Sequence, residues 1–249
     1  RGTLNLLRTS SFTLPTDQSH KQRTDHSYFF PGSIMMGRLA VRKVDLKMKL
    51  LLFSDLHRDR EAAEALSTLA SNVDVVVGAG DFASLRQGLT TTIEVLQEID
   101  RPAVLVPGNA ESVEELTEAC RQWPTAHVLH GTPVNIAGVS FFGIGGAIPI
   151  TPFGSWSYDF SEDDARALLA NCSHVDVLVT HSPPKGVVDI SSRGDHLGSA
   201  AIREVVEQYR PKLVVCGHIH DSAGKQATLG PTTVINAGPL GLIFEFIDR

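Results

Sequence analysis

The sequence predicts an α/β fold, and three observations carry that expectation. Short apolar runs with strand character recur along the chain, stretches with helical spacing separate them, and no apolar run nears the ~20 residues that span a bilayer. An apolar share of 42% beside 20% charged residues is the composition of an ordinary globular protein.

From Met48 onward the elements follow in order. "KLLLFS" reads as a buried strand and "DREAAEALSTLAS" as a helix. "VDVVVGAG" and "PAVLVPG" repeat the strand pattern, each followed by a helical stretch, "QGLTTTIEVLQEI" and "ESVEELTEACRQW". "TPVNIAGVSFFGIGG" predicts a hairpin turning at Ala137-Gly138. Next comes the helix "SEDDARALLANC", with Ser161 as its N-cap and Asp164 as a first-turn acid. "VDVLVTH", the helix "SAAIREVVEQY" and "KLVVCGH" complete the alternation, and "TTVINAGPLGLIFEF" predicts a late strand pair. No repeat interrupts this body, so residues 48–249 are expected to form one domain.

Residues 1–47 differ. They are Ser/Thr/Arg-rich, lack steady apolar periodicity and hold eight Lys/Arg against three Asp/Glu. A transit peptide would share the Arg and Ser but avoid acids such as Asp17 and Asp25, so a disordered or extraneous tail is the expectation. The remainder holds 14 Lys/Arg against 25 Asp/Glu, an acidic body that argues against a nucleic-acid-tracking surface. Cys120, Cys172 and Cys216 form no CxxC pair and predict reduced, buried thiols, which suits a cytoplasmic protein.

The chemistry lies where the apolar runs end. Asp55 and His57 close the first, Asp81 the second, Asn109 the third and His181 the next, while His218 and His220 close the last. In open α/β sheets ligands bind beyond the carboxyl ends of strands, so these endings are expected to converge. Imidazole, carboxylate and one amide oxygen suit Mn, Fe or Zn. A shared carboxylate can join two ions held ~3.5–4 Å apart, as in two-metal phosphoryl sites. In extended D-x-H and H-x-H segments residues i and i+2 point the same way, so both members of each pair are expected to reach one site. Each fragment alone also has a plain reading as a turn or helix cap; the ordered set of five is what points to metal.

The order D-x-H, GD, GN, TH and GHxH resembles the calcineurin-like metallophosphoesterase superfamily across nearly all of residues 48–249. "HSPPKGVVD" and "INAGP" are similar to its small bacterial and archaeal members. The resemblance implies a four-layer αββα sandwich of two mixed sheets flanked by helices. It implies a first divalent ion on Asp55, His57, Asp81 and His220, and a second on Asn109, His181 and His218, with Asp81 bridging; manganese is the favoured metal. The expected activity is hydrolysis of a phosphodiester or phosphomonoester by a hydroxide bridging the ions. The substrate is expected to be a small phosphate ester, with nucleotides among the candidates.

One departure stands out. Where the family's third motif places a histidine after Gly-Asn, this chain has Ala110, which cannot protonate a leaving group. A positioned acid contributes ~10²–10⁴-fold, so slow turnover with a preference for good leaving groups is expected, and a metal-bearing scaffold of the same fold is the alternative. His196, in "RGDHLGS", is the first candidate for substrate contact and Arg193 a second; Glu111 reads as a first-turn helix carboxylate. His127, His130 and His174 show no ligand spacing and are expected to be structural. Phe153, Trp156, Tyr158 and Phe160 predict a packed loop, or one that stacks on a substrate ring.

Overall fold

Alternate residues of each central strand face opposite ways, and in this chain both sets are apolar, so every central strand must be covered on two sides. The computed structural model describes residues 46–248 and meets that requirement with four layers. The predicted tail lies outside the described residues, apart from Leu46 and Lys47, which belong to the first strand.

The amino-terminal half alternates as expected: β1 (Leu46–Phe53), α1 (Arg60–Leu69), β2 (Val75–Gly78), α2 (Leu89–Leu96), β3 (Ala103–Leu105), α3 (Val113–Ala119) and β4 (Ala126–Val128). Asp59 caps α1 by accepting from the Ala62 N–H, and Ser112 caps α3 in a reciprocal box with Glu115. The hairpin forms as predicted from β5 (Thr132–Ile136) and β6 (Val139–Ile144), turning at Ala137 and Gly138, both with positive φ. Then follow α4 (Glu162–Leu169), with the Ser161–Asp164 box in place, β7 (Val177–Thr180), α5 (Ala200–Tyr209), β8 (Leu213–Cys216), β9 (Gln226–Leu229), β10 (Thr232–Asn236) and β11 (Leu242–Asp248).

The first sheet runs β11-β1-β2-β3-β4 and the second β5-β6-β7-β8-β10-β9. Leu50, Leu52, Val77 and Val104 of the first meet Phe141, Val179, Val215 and Ile235 of the second in the central core. The opposite faces carry the helices: Leu51, Phe53 and Val76 pack under Leu66, Ile93 and Leu116, and Phe142, Leu178 and Val214 under Ala165, Ile202 and Val206. Pairs β1–β2, β2–β3 and β7–β8 are parallel, so their carboxyl ends lie on one side of each sheet.

One expectation fails. The late strands are not partners: β10 pairs with β8 and β9 in the second sheet, whereas β11 crosses to run antiparallel to β1 in the first. Periodicity reports that a segment is extended and which face is apolar; it does not report the neighbour. The short strands β4 and β9 were not anticipated because, at sheet edges, their side chains lack an apolar pattern.

Candidate metal centre

All seven predicted donors lie just past a strand's carboxyl end, on loops leaving β1, β2, β3, β7 and β8. The route by which the pairs arrive differs from the expectation of extended D-x-H and H-x-H segments. Asp55, His57, Asp81 and His218 are left-handed, with φ of 57°, 46°, 58° and 68°. Such conformations cost ~1–3 kcal/mol each for residues other than glycine and persist only when their surroundings hold them. Here the Asp55 N–H donates to the Gly80 carbonyl and the His57 N–H to the Asp81 carbonyl, both at 2.9 Å. Sharp turns, not strand alternation, aim these side chains. Glycine makes room: a Cβ on Gly217 would lie 2.5 Å from Asp55 Oδ2, and one on Gly108 would overlap the Asp81 carboxylate.

The donors assemble around two carboxylates. Asp55, His57 and His220 bring ligand atoms within 4.8 Å of one another, and so do Asp55, Asp81 and His181. Asp81 Oδ2 lies 3.5 Å from Nε2 of both His57 and His181, between the two sets implied by the resemblance. Its other oxygen, Oδ1, accepts the Ala110 N–H at 2.8 Å, so Oδ2 is the one turned toward the two histidines. His218 stands outside both trios, with its ring centroid 4.9 Å from that of His181.

Backbone carbonyls set the histidine tautomers. His57 Nδ1 lies 3.1 Å from the Ala83 carbonyl and His181 Nδ1 2.8 Å from that of Ala79. A carbonyl only accepts, so each Nδ1 carries a proton and Nε2 is the nitrogen that faces the centre. Asn109 is aimed likewise: Nδ2 donates to Ser157 Oγ at 3.0 Å, and Oδ1 lies 3.2 Å from His181 Nε2. Ser157 Oγ in turn donates to Asp159 Oδ1, while Asp159 Oδ2 accepts from the Thr151 N–H and hydroxyl.

This donor set fits divalent cations. His57 Nε2 and His220 Nε2 face each other at 3.0 Å, near enough for both to reach one cation once neither carries a proton. Asp55 and Asp81 are both buried, and two buried carboxylates draw positive charge. Burial would lower the His181 imidazole, but Asp81, and then Asp55, raise it to about 9. Burial likewise opposes ionisation of both aspartates, yet His181 and His57 hold Asp81, and His220 and His181 hold Asp55, below the ordinary carboxylate range. Burial, followed by the charge of His181, pushes His218 down to about 4, which keeps its ring neutral and able to ligate.

Glu111 is not a first-turn helix carboxylate: α3 begins at Val113, and the Glu111 side chain is fully buried beneath the centre. Oε1 accepts the N–H groups of Gly108, Asp81 and Phe82, and Oε2 that of Ala83, at 2.7–3.3 Å. Burial, joined by the charge of Asp81, pushes the carboxyl up to about 7 against these donors. Glu111 thus ties the Asp81 loop to the Asn109 loop. Sequence reading missed this role because the partners lie up to 30 residues away.

A cavity of about 560 Å³ opens over the centre, lined by His57, Asp81, Asn109, His218 and His220 on one side. Arg193 lines it, whereas His196, the first candidate for substrate contact, does not. His196 Nδ1 is instead 2.6 Å from Oδ1 of Asp189, a buried carboxylate that also accepts the Gly186 and Gly198 N–H groups. The aromatic loop divides. Phe153 and Trp156 stack on each other, centroids 5.8 Å apart, and line the cavity, while Tyr158 and Phe160 pack against His130. A larger groove of about 950 Å³ borders α2 and α3; it includes Ala110 but none of the seven donors.

The family model of the calcineurin-like phosphoesterase superfamily domain matches residues 48–245. An uncharacterized protein of Methanocaldococcus jannaschii is 28% identical over 209 residues, covering 77% of this chain and 88% of its own. The human metallophosphoesterase domain-containing protein 1 is 30% identical over 141 residues, covering 53% of this chain but 39% of the human protein. Two solved structures share the fold: a Thermus thermophilus protein (TM-score 0.64, 19% identity, 78% of this chain and 91% of that one) and a dimetal phosphatase of Danio rerio (0.54, 14%, 78% and 88%). Sequence match and layered architecture agree, and the chain belongs to the calcineurin-like phosphoesterase superfamily.

Proposed function

We propose that the chain is a metal-dependent phosphoesterase hydrolysing a small phosphodiester or phosphomonoester. The observation that supports this most is Asp81 Oδ2, placed 3.5 Å from the Nε2 atoms of His57 and His181. Asp55, His57, Asp81 and His220 would hold one ion, and Asp81, Asn109, His181 and His218 the other. The donors suit Mn, Fe or Zn, with manganese the first choice. Bound there, the ions would supply a nucleophile at neutral pH and positive charge toward the phosphoryl oxygens.

The chain's own residues do the positioning. Glu111 holds the loops that carry Asp81 and Asn109, and Ser157 turns the Asn109 oxygen toward the centre. Arg193, whose Nε lies 3.9 Å from Asp195 Oδ2, lines the same cavity and would offer the ester a cation. The proposed substrate is a small phosphate ester rather than nucleic acid, because the body is acidic. No helix among the described residues is long and apolar enough to cross a membrane.

Ala110 favours a second reading, a metal-bearing scaffold with little catalysis. Purified protein with Mn²⁺ and bis-p-nitrophenyl phosphate separates the two. Turnover abolished by Asp81→Ala supports the enzyme; bound metal without turnover of any phosphoester supports the scaffold.

A further inference from the structure

The part of the cavity lining that carries no donors has a different chemistry. Ile150, Phe153, Trp156 and Leu197 form it, beside Arg193. Ile150, Phe153 and Leu197 are 65%, 51% and 45% exposed, three of the eight large apolar side chains that the described residues leave exposed. Clustering of exposed apolar groups on one cavity marks a binding surface. About 560 Å³ is also the size of a pocket for an organic ligand, far more than a phosphoryl group fills.

Among the described residues that line the cavity, beyond the candidate ligands, no side chain is placed as a proton donor for a leaving alcohol. Beyond the candidate ligands, its ionisable lining is Arg193 and Asp221. Arginine does not give up its proton at neutral pH, and Asp221 Oδ2 acts as an acceptor for the Ser192 N–H at 2.8 Å. His196 is held by Asp189 outside the lining, and Ala110 has no proton to give. An alkoxide leaves slowly without protonation. A phenolate does not need it, because its charge spreads over the ring.

We propose that the cavity takes an aryl phosphate ester, with the ring seated against Trp156 and Phe153 and Arg193 beside the anionic phosphate. This rests on the phosphoesterase reading. Water adds to phosphorus as the P–O(aryl) bond breaks. The bond's electron pair leaves on the phenolate oxygen, and the water proton passes to solvent.

Binding tests the class independently of turnover. Calorimetric titration of the manganese-loaded full chain with phenylphosphonate and methylphosphonate compares a ring with a methyl group on the same anion. Phenylphosphonate is expected to bind at least about tenfold more tightly. The preference should shrink below about threefold in Trp156→Ala and in Phe153→Ala, the latter an exposed position whose truncation spares the core. Equal affinities in the unmodified protein, no binding of either phosphonate, or a preference intact in both variants would overturn the proposal. Turnover of bis-p-nitrophenyl phosphate reads the underlying activity. A phenyl preference without turnover removes the phosphoesterase reading and keeps the aryl pocket; turnover without the preference does the reverse.

Discussion

The two walls of the cavity are built on different principles. One consists of strand ends: Asp55, Asp81, Asn109 and His181 are buried, left-handed turns aim several of the donors, and Glu111 ties two of the loops with four hydrogen bonds. The other consists of loop residues, Ile150, Phe153, Trp156 and Leu197, of which Phe153 stacks on Trp156 and Ile150, Phe153 and Leu197 are exposed. The difference teaches a division of labour. Atoms that hold cations must be fixed to fractions of an ångström and are therefore anchored in the core, whereas a surface that holds an organic group needs only area and shape.

Breaking the rigid wall should have the largest effect. Asp81→Asn removes charge from the oxygen between the two histidine sets and is expected to lower kcat/KM by roughly 10³-fold or more, measured on bis-p-nitrophenyl phosphate. Glu111→Ala would strand four buried N–H groups and should destabilise the fold by about 3 kcal/mol in urea unfolding, with loss of bound metal. Ser157→Ala frees the Asn109 amide and is expected to weaken metal binding or activity by roughly tenfold to a hundredfold, with little change in melting temperature.

The smallest effect is a control away from both walls. Asp176 accepts from the Ser140 N–H and hydroxyl and pairs with Lys212. Burial opposes its ionisation, but the Ser140 N–H and Lys212 outweigh it and hold the carboxyl below its ordinary 3.8. A depressed carboxyl adds stability above its unfolded pKa and loses it as pH falls through the folded one. Asp176→Asn should therefore cost about 1 kcal/mol at neutral pH, converge with the unmodified protein in acid below pH 3.8, and leave turnover unaltered.

The same contrast explains what could be read from the chain. The placement of the seven candidate donors was legible because each follows an apolar run, and strand ends converge in any α/β sheet. Their left-handed turns were not, since nothing in D-x-H announces φ near 57°. Glu111 was misread because a carboxylate beside a helix start imitates a cap, while three of its four partners lie on the Asp81 loop. Ser157 is 48 residues from the Asn109 it orients, and only the fold brings them together. Histidine chemistry pointed to His196 for substrate, yet Asp189 claims its Nδ1 and Arg193 takes the cavity. The partner of β11 escaped for a similar reason: alternation along a strand specifies its faces and not its neighbour.

The most direct test of the account is metal stoichiometry. The 249-residue chain reconstituted with Mn²⁺, freed of excess and analysed by elemental mass spectrometry, should carry two ions, and Asp81→Ala, still folded by circular dichroism, should carry at most one. An unmodified chain that binds no more metal than a buffer control, or an Asp81→Ala chain that keeps both ions, would contradict it.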